Sequence, residues 1–98
     1  MEKLIDEYEW HVLDATADDW ESLDQIVPHL ERFLGPVDRA GIVRLIIKLV
    51  DDGMLKEMRY KAYRNLTAEM ILETPMEFWF CMTTEGKELW DSEGYKYR

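Results

Sequence analysis

The chain has a single cysteine, Cys81, in 98 residues. No internal disulfide can staple the fold, and a reducing compartment suits such a sequence. No apolar run approaches the ~18 residues that a membrane span needs. The first ten residues already contain Glu2, Asp6, Glu7 and Glu9, unlike the basic and apolar start of a signal peptide. The two histidines, His11 and His29, have no cysteine or second histidine at ligand spacing, so no metal is expected. The sequence holds neither a glycine-rich phosphate loop nor a Ser/His/Asp constellation, and spacing singles out no carboxylate. Neither an enzyme nor a bound cofactor is expected. No repeat, low-complexity tract or linker divides the chain. These absences leave one small cytoplasmic domain, residues 1–98, with no membrane partner.

What is present suits a globular fold. About 47% of the residues are apolar and 34% charged, inside the folded range. A chain of this length buries roughly 60–65% of its unfolded surface, enough for one core. The net charge of −9 is unevenly spread. Residues 1–31 hold ten acids and one base, Lys3, whereas residues 32–64 hold eight bases and four acids. The whole molecule is repelled by a polyanion, yet one stretch has the charge to face one.

Periodicity divides the chain into elements. Residues 2–16 read as a helix with Leu4, Ile5, Tyr8, Val12 and Ala15 on one stripe. Trp10 falls nearly opposite. Either it packs on another element such as the C-terminal segment, the favoured reading, or it is exposed as a dimer contact. Residues 17–21 form a polar turn. Ser22 and Gln25 have capping-box spacing, and Leu23, Ile26, Val27, Leu30, Phe33 and Leu34 make a second helical stripe. Pro28 lies within that helix on its polar face, and Gly35-Pro36 ends it. Asp38 reads as the N-cap of a third helix, with Val37 and Ile42 as a hydrophobic staple. This helix is apolar over more than half its circumference and is expected to be the most buried. Its polar strip is Gly41, Arg44, Lys48 and Asp51, and Asp52-Gly53 stops it.

Residues 54–64 alternate as a strand, with Met54, Met58, Tyr60 and Ala62 on one face. Residues 65–75 suit a short helix, although Leu66, Ala68, Met70 and Leu72 also alternate as in a strand, and Met76 to Thr83 suit a second strand. Thr84 reads as the cap of a last helix, 85–93, with Leu89 and Trp90 inward; Tyr95, Tyr97 and Arg98 form a tail. The expected core is Tyr8, Val12, Ile26, Leu30, Ile42, Leu45, Ile46, Leu49, Phe80 and Leu89.

Three helices, a strand pair and a closing helix form an order that resembles the winged-helix family. Leu23-Asp24-Gln25-Ile26-Val27-Pro28-His29-Leu30 is similar to the helix that leads into that family's turn. Val43 to Leu55, with Asp52-Gly53, is similar to its passage from recognition helix into wing. Met82-Thr83-Thr84-Glu85-Gly86-Lys87-Glu88-Leu89 is similar to the "Leu-Thr-x-x-Gly" passage of many bacterial transcription regulators of this fold. The resemblance implies an α+β fold: a three-helix core, a two-stranded β-hairpin wing and a C-terminal helix. It also implies a transcriptional regulator that places the third helix in the major groove of double-stranded DNA and the wing on the backbone. Carried over by position, the DNA contacts are Gly41, Arg44 and Lys48 on the helix, and Lys56, Arg59, Lys61 and Arg64 on the wing.

Each candidate has a plainer reading. Arg44 and Lys48 lie one turn apart, spaced for a base edge and a phosphate, or they form a solvated strip paired with Asp51 or Asp52. The wing bases, interleaved with Tyr60 and Tyr63, suit a nucleic-acid backbone or a charged edge strand that resists sheet-to-sheet pairing. Cys81 reads as a buried, inert thiol. Trp10 and Trp20 sit among acids, as anchors for a basic protein partner would. The alternative function is therefore a winged-helix module for protein contact without DNA binding. Spare aromatic area at Trp10 and at Trp90–Tyr97 leads to the expectation of a homodimer.

Overall fold

The computed structural model of the chain describes residues 5–59 and 66–97, the side chain of Arg59 excepted. Among these the elements run α1 (Glu7–Ala15), α2 (Leu23–Leu34), α3 (Arg39–Asp51), β1 (Leu55–Arg59), α4 (Ala68–Glu73), a 3-10 turn (Pro75–Glu77), β2 (Phe78–Met82) and α5 (Thr84–Tyr97). This is the α+β layout that the sequence predicts, and it is compatible with a winged-helix arrangement. No helix among the described residues is long and apolar enough to cross a membrane.

Local chemistry sets the helix ends. Asp6 Oδ1 accepts from the Glu9 N–H at 2.8 Å, and Glu9 Oε1 accepts from the Asp6 N–H at 3.3 Å. That reciprocal box opens α1. Gln25 Oε1 accepts from the Ser22 N–H at 2.8 Å at the start of α2, and Asp38 Oδ2 accepts from the Gly41 N–H at 3.1 Å at the start of α3. The far end of α3 closes as a Schellman motif: the Gly53 N–H donates to Val50 O (3.0 Å) and the Met54 N–H to Leu49 O (2.8 Å). Gly53 takes φ +80° there, a left-handed conformation that favours glycine.

The sheet is antiparallel, with Leu55 opposite Met82 and Arg59 opposite Phe78. The β1 face differs from the sequence expectation. Leu55 is buried and Met58 is 47% exposed, so the alternate set faces the core. Tyr60 and Ala62 lie outside the described residues. Glu21, expected in a turn, exchanges two backbone hydrogen bonds with Phe80 (2.8 and 2.9 Å). It adds a one-residue bridge on the side of β2 away from β1.

Val12, Ile26, Leu30, Ile42, Ile46, Leu49 and Phe80 are buried as expected, and Leu45 and Leu89 are half-buried. Tyr8 is exposed instead. Helix α1 packs against both α2 and α5. Two partners bury a wider arc than one, and the consecutive residues Glu9 to Leu13 are all buried. That run makes α1 more enclosed than α3, where Ile42, Val43, Ile46 and Leu49 are the buried positions. Phe33, expected inside, is 54% exposed.

The closing helix starts one residue earlier than predicted and takes in Tyr95 and Tyr97 of the expected tail, Arg98 lying outside the described residues. Thr83 is its cap, its Oγ1 accepting from the Gly86 N–H at 3.0 Å. Thr83 also donates its own backbone N–H to Met54 O at 3.1 Å. A Cβ on Gly86 would sit 2.0 Å from that same Met54 oxygen. The Thr-x-x-Gly passage therefore has a mechanical meaning: the threonine caps α5, and the glycine lets the helix backbone touch the turn between α3 and β1.

Two substitutions check this packing. Leu49→Ala or Ile46→Ala should lower the free energy of urea unfolding by about 2–5 kcal/mol. Gly86→Ala, which in an ordinary helix gains up to ~1 kcal/mol, should instead cost about 1–3 kcal/mol or more. A neutral or stabilising Gly86→Ala would contradict the close approach.

Candidate functional site

The polar strip of α3 is solvated on one side and flanked by acids. Gly41 lies over the Asp38 cap. Arg44 is 3.7 Å from the Asp38 carboxylate, and both side chains are well exposed. Lys48 Nζ is 3.3 Å from Glu9 Oε2, and the Glu9 side chain is only 6% exposed. Both cations are therefore paired, with Asp38 and Glu9 and not with the Asp51 or Asp52 of the plainer sequence reading. A groove of about 360 Å³ opens beside Gly41 between the starts of α1 and α3, and its charged lining residues are Asp6 and Asp38. The field beside the strip is thus acidic.

Of the wing bases, Lys56 is exposed on β1 with its Nζ 5.6 Å from the Trp20 ring centroid. Arg59 ends β1; its side chain, together with Lys61 and Arg64, lies outside the described residues. The β1–β2 connection is no tight hairpin loop, since it contains α4. That helix packs against α3 through the buried Ile71.

The aromatic candidates separate. Trp10 is 2% exposed, and its Nε1–H donates to Trp90 O at 2.9 Å. Its ring stacks on Trp90 at 6.3 Å between centroids. It offers no surface to a protein partner, because α5 covers it, as the favoured sequence reading has it. Tyr97 is engaged too, its hydroxyl donating to Ile5 O at 2.7 Å. The aromatic area expected to hold a homodimer is largely used inside the chain, Tyr95 excepted at 78% exposed. Trp20 is half-buried and remains available beside the exposed Asp18 and Asp19.

One cluster escapes a linear reading. Asp14, one turn beyond His11 on α1, meets His29 of α2: Asp14 Oδ2 is 3.0 Å from His29 Nε2. Its other oxygen accepts from Trp90 Nε1–H at 3.0 Å. One donor atom each from His11, Asp14 and His29 lie within 4.8 Å of one another, close enough to form a candidate cation site. The signal in the sequence was half present. His11 and Asp14 have the i, i+3 spacing that shares a helix face, but nothing local announces that α2 brings His29 to them.

His11 is 95% buried by its 5% exposure, and this burial pushes its pKa below the ordinary 6.5. Asp14 and Glu7 oppose the shift, and His29 adds to it. A buried base with a lowered pKa binds fewer protons folded than unfolded. Its stabilising effect is complete above pH 6.5 and is lost as pH falls through the folded value.

Two tests follow. Lys48→Ala should cost about 1–3 kcal/mol by leaving a buried carboxylate without its cation, while Arg44→Ala should cost under about 1 kcal/mol; equal costs in urea unfolding would contradict the ranking. Stability measured at pH 7.5 and pH 5 should fall toward acid, and His11→Phe should flatten part of that slope; an unchanged slope would contradict the assignment to His11. Comparison with known proteins leaves the reading to this geometry: the chain matches no family model, no curated protein and no solved structure.

Proposed function

We propose that the domain is a winged-helix-type module for protein contact that receives a basic partner on its acidic first third. The observation that carries this reading is the pairing on α3. Its two exposed cations each sit against a carboxylate of the same chain, and one of those carboxylates is buried. To reach a DNA phosphate, Lys48 would have to leave the buried Glu9 carboxylate without its cation, an exchange that costs free energy. A duplex reading Arg44 would also have to pass Asp38.

The acidic surface has the opposite character. Asp6, Glu7, Asp18, Asp19, Asp24 and Glu31 are all exposed, and they draw in positive charge over several ångströms. Trp20 supplies an anchor. Its ring already carries a cation, Lys56, and an arginine or lysine of a partner would displace that exposed lysine and take its position with Asp18 and Asp19 nearby. The DNA-binding regulator reading draws on the element order, on the Glu21 bridge and on the excess of bases in residues 32–64, and it assigns base reading to Arg44.

The two separate in one titration series. A random 20-base-pair duplex and an arginine-rich peptide are offered to the chain at low and moderate salt, with Trp20→Ala and Arg44→Ala/Lys48→Ala alongside. The peptide should bind, weaken with salt, and lose about tenfold on Trp20→Ala, a change of ~1.4 kcal/mol. The duplex should not bind even at low salt. Duplex binding that the double substitution abolishes would overturn the protein-contact reading in favour of DNA.

A further inference from the structure

We propose that His11, Asp14 and His29 form a binding site for one zinc-class divalent cation. The donors are two imidazoles and one carboxylate, which suit borderline ions such as Zn²⁺ and not Ca²⁺ or Mg²⁺, whose sites are built of oxygen. The donor atoms already lie within 4.8 Å of one another. A tetrahedral zinc with bonds of ~2.0–2.2 Å needs its donors roughly 3.4 Å apart. The Asp14–His29 pair stands at 3.0 Å, so the remaining adjustment falls to His11.

A second observation is independent of that clustering. His11 Nδ1 is buried and has no hydrogen-bond partner, on a residue only 5% exposed. Buried imidazole nitrogens in native proteins are satisfied by protein, water or an ion. The fold gives this ring a defined orientation all the same. It stacks on Phe33 at 5.1 Å and 13°, and meets Trp10 edge-on at 5.0 Å. His29 packs on the same Phe33 ring at 5.1 Å.

The surroundings are those of a ligand site. The Trp90 indole N–H fixes the Asp14 carboxylate from behind, as outer partners fix metal-ligating carboxylates. The acids that outnumber bases ten to one in residues 1–31 attract a cation to it. The Asp14 and His29 side chains are each 23% exposed, which leaves a path from solvent. Three protein ligands leave a fourth position for water or for a group of a partner.

The test is calorimetric titration of chelator-treated full chain with ZnCl₂ at pH 7.5. It should show one saturable site per chain with a Kd of about 10 µM or tighter, weakening at pH 5.5 as protons compete for imidazole. MgCl₂ and CaCl₂ should give no saturable binding. His29→Gln and Asp14→Asn should each weaken zinc at least about tenfold, a change of ~1.4 kcal/mol; the asparagine keeps an oxygen for Trp90. His11→Phe should also lose the site, yet melt no lower than the unsubstituted metal-free chain, because it keeps the stacked ring and removes the unpartnered nitrogen. Absence of saturable zinc binding at 100 µM metal (about ten times that Kd) would overturn the proposal. So would weak multiple binding that these variants leave unchanged, which would place the ions on the scattered surface acids.

Discussion

The Asp14 carboxylate is the joint on which the helices depend. It sits near the end of α1 and holds one neighbour with each oxygen, the Trp90 indole N–H of α5 at 3.0 Å and His29 Nε2 of α2 at 3.0 Å. Hydrogen bonds to an ionised group are stronger than neutral ones. Trp90 returns the contact by accepting the Trp10 N–H on its backbone oxygen, and Tyr97 repeats it at the other end of α1 through Ile5. A short first helix is thereby enclosed between two others. With α1 so placed, the buried Glu9 aims at α3 and fixes Lys48. The charge pattern of the third helix is thus a consequence of how the first is held.

The opposite end of α5 is governed by shape. Gly86 brings the helix backbone against Met54 O, and Thr83 caps the helix while bonding to the same turn. One helix therefore spans the molecule, from the corner after α3 to the start of α1. This arrangement encloses Trp10 and Glu9, while Asp6, Glu7, Asp18, Asp19, Asp24 and Glu31 stay exposed. It also gathers His11, Asp14 and His29 together, with both imidazoles packed on Phe33.

Local features were legible in the sequence, because their causes lie within a few residues. Ser22 with Gln25, Asp38 before α3, and Asp52-Gly53 after it all read correctly. So did the short helix after β1, which Thr67 caps by accepting from the Met70 N–H. Features made by contact between distant segments were not legible. Tyr8 shares a helical stripe with Ile5 and Val12, yet burial on α1 follows its neighbours α2 and α5 and not that stripe. The β1 face was inverted because Met58 outvoted Leu55 in a run that Lys56 interrupts. The Glu21 bridge, the Lys48–Glu9 pair across 39 residues and the Trp90–Asp14 bond across 76 leave no trace in local spacing. The candidate site suffers from this too, since His11 and Asp14 share α1 but His29 and Trp90 reach them from α2 and α5.

The central claim is that Asp14 joins α5 to α1, and a double-mutant cycle between Asp14→Ala and Trp90→Phe measures it most directly. Urea unfolding of the parent, the two single variants and the double variant gives the coupling free energy of the pair. The account predicts a coupling of about 1 kcal/mol or more, as for a hydrogen bond to a charged group. Costs that add to within about 0.5 kcal/mol would show two independent residues, and would contradict it.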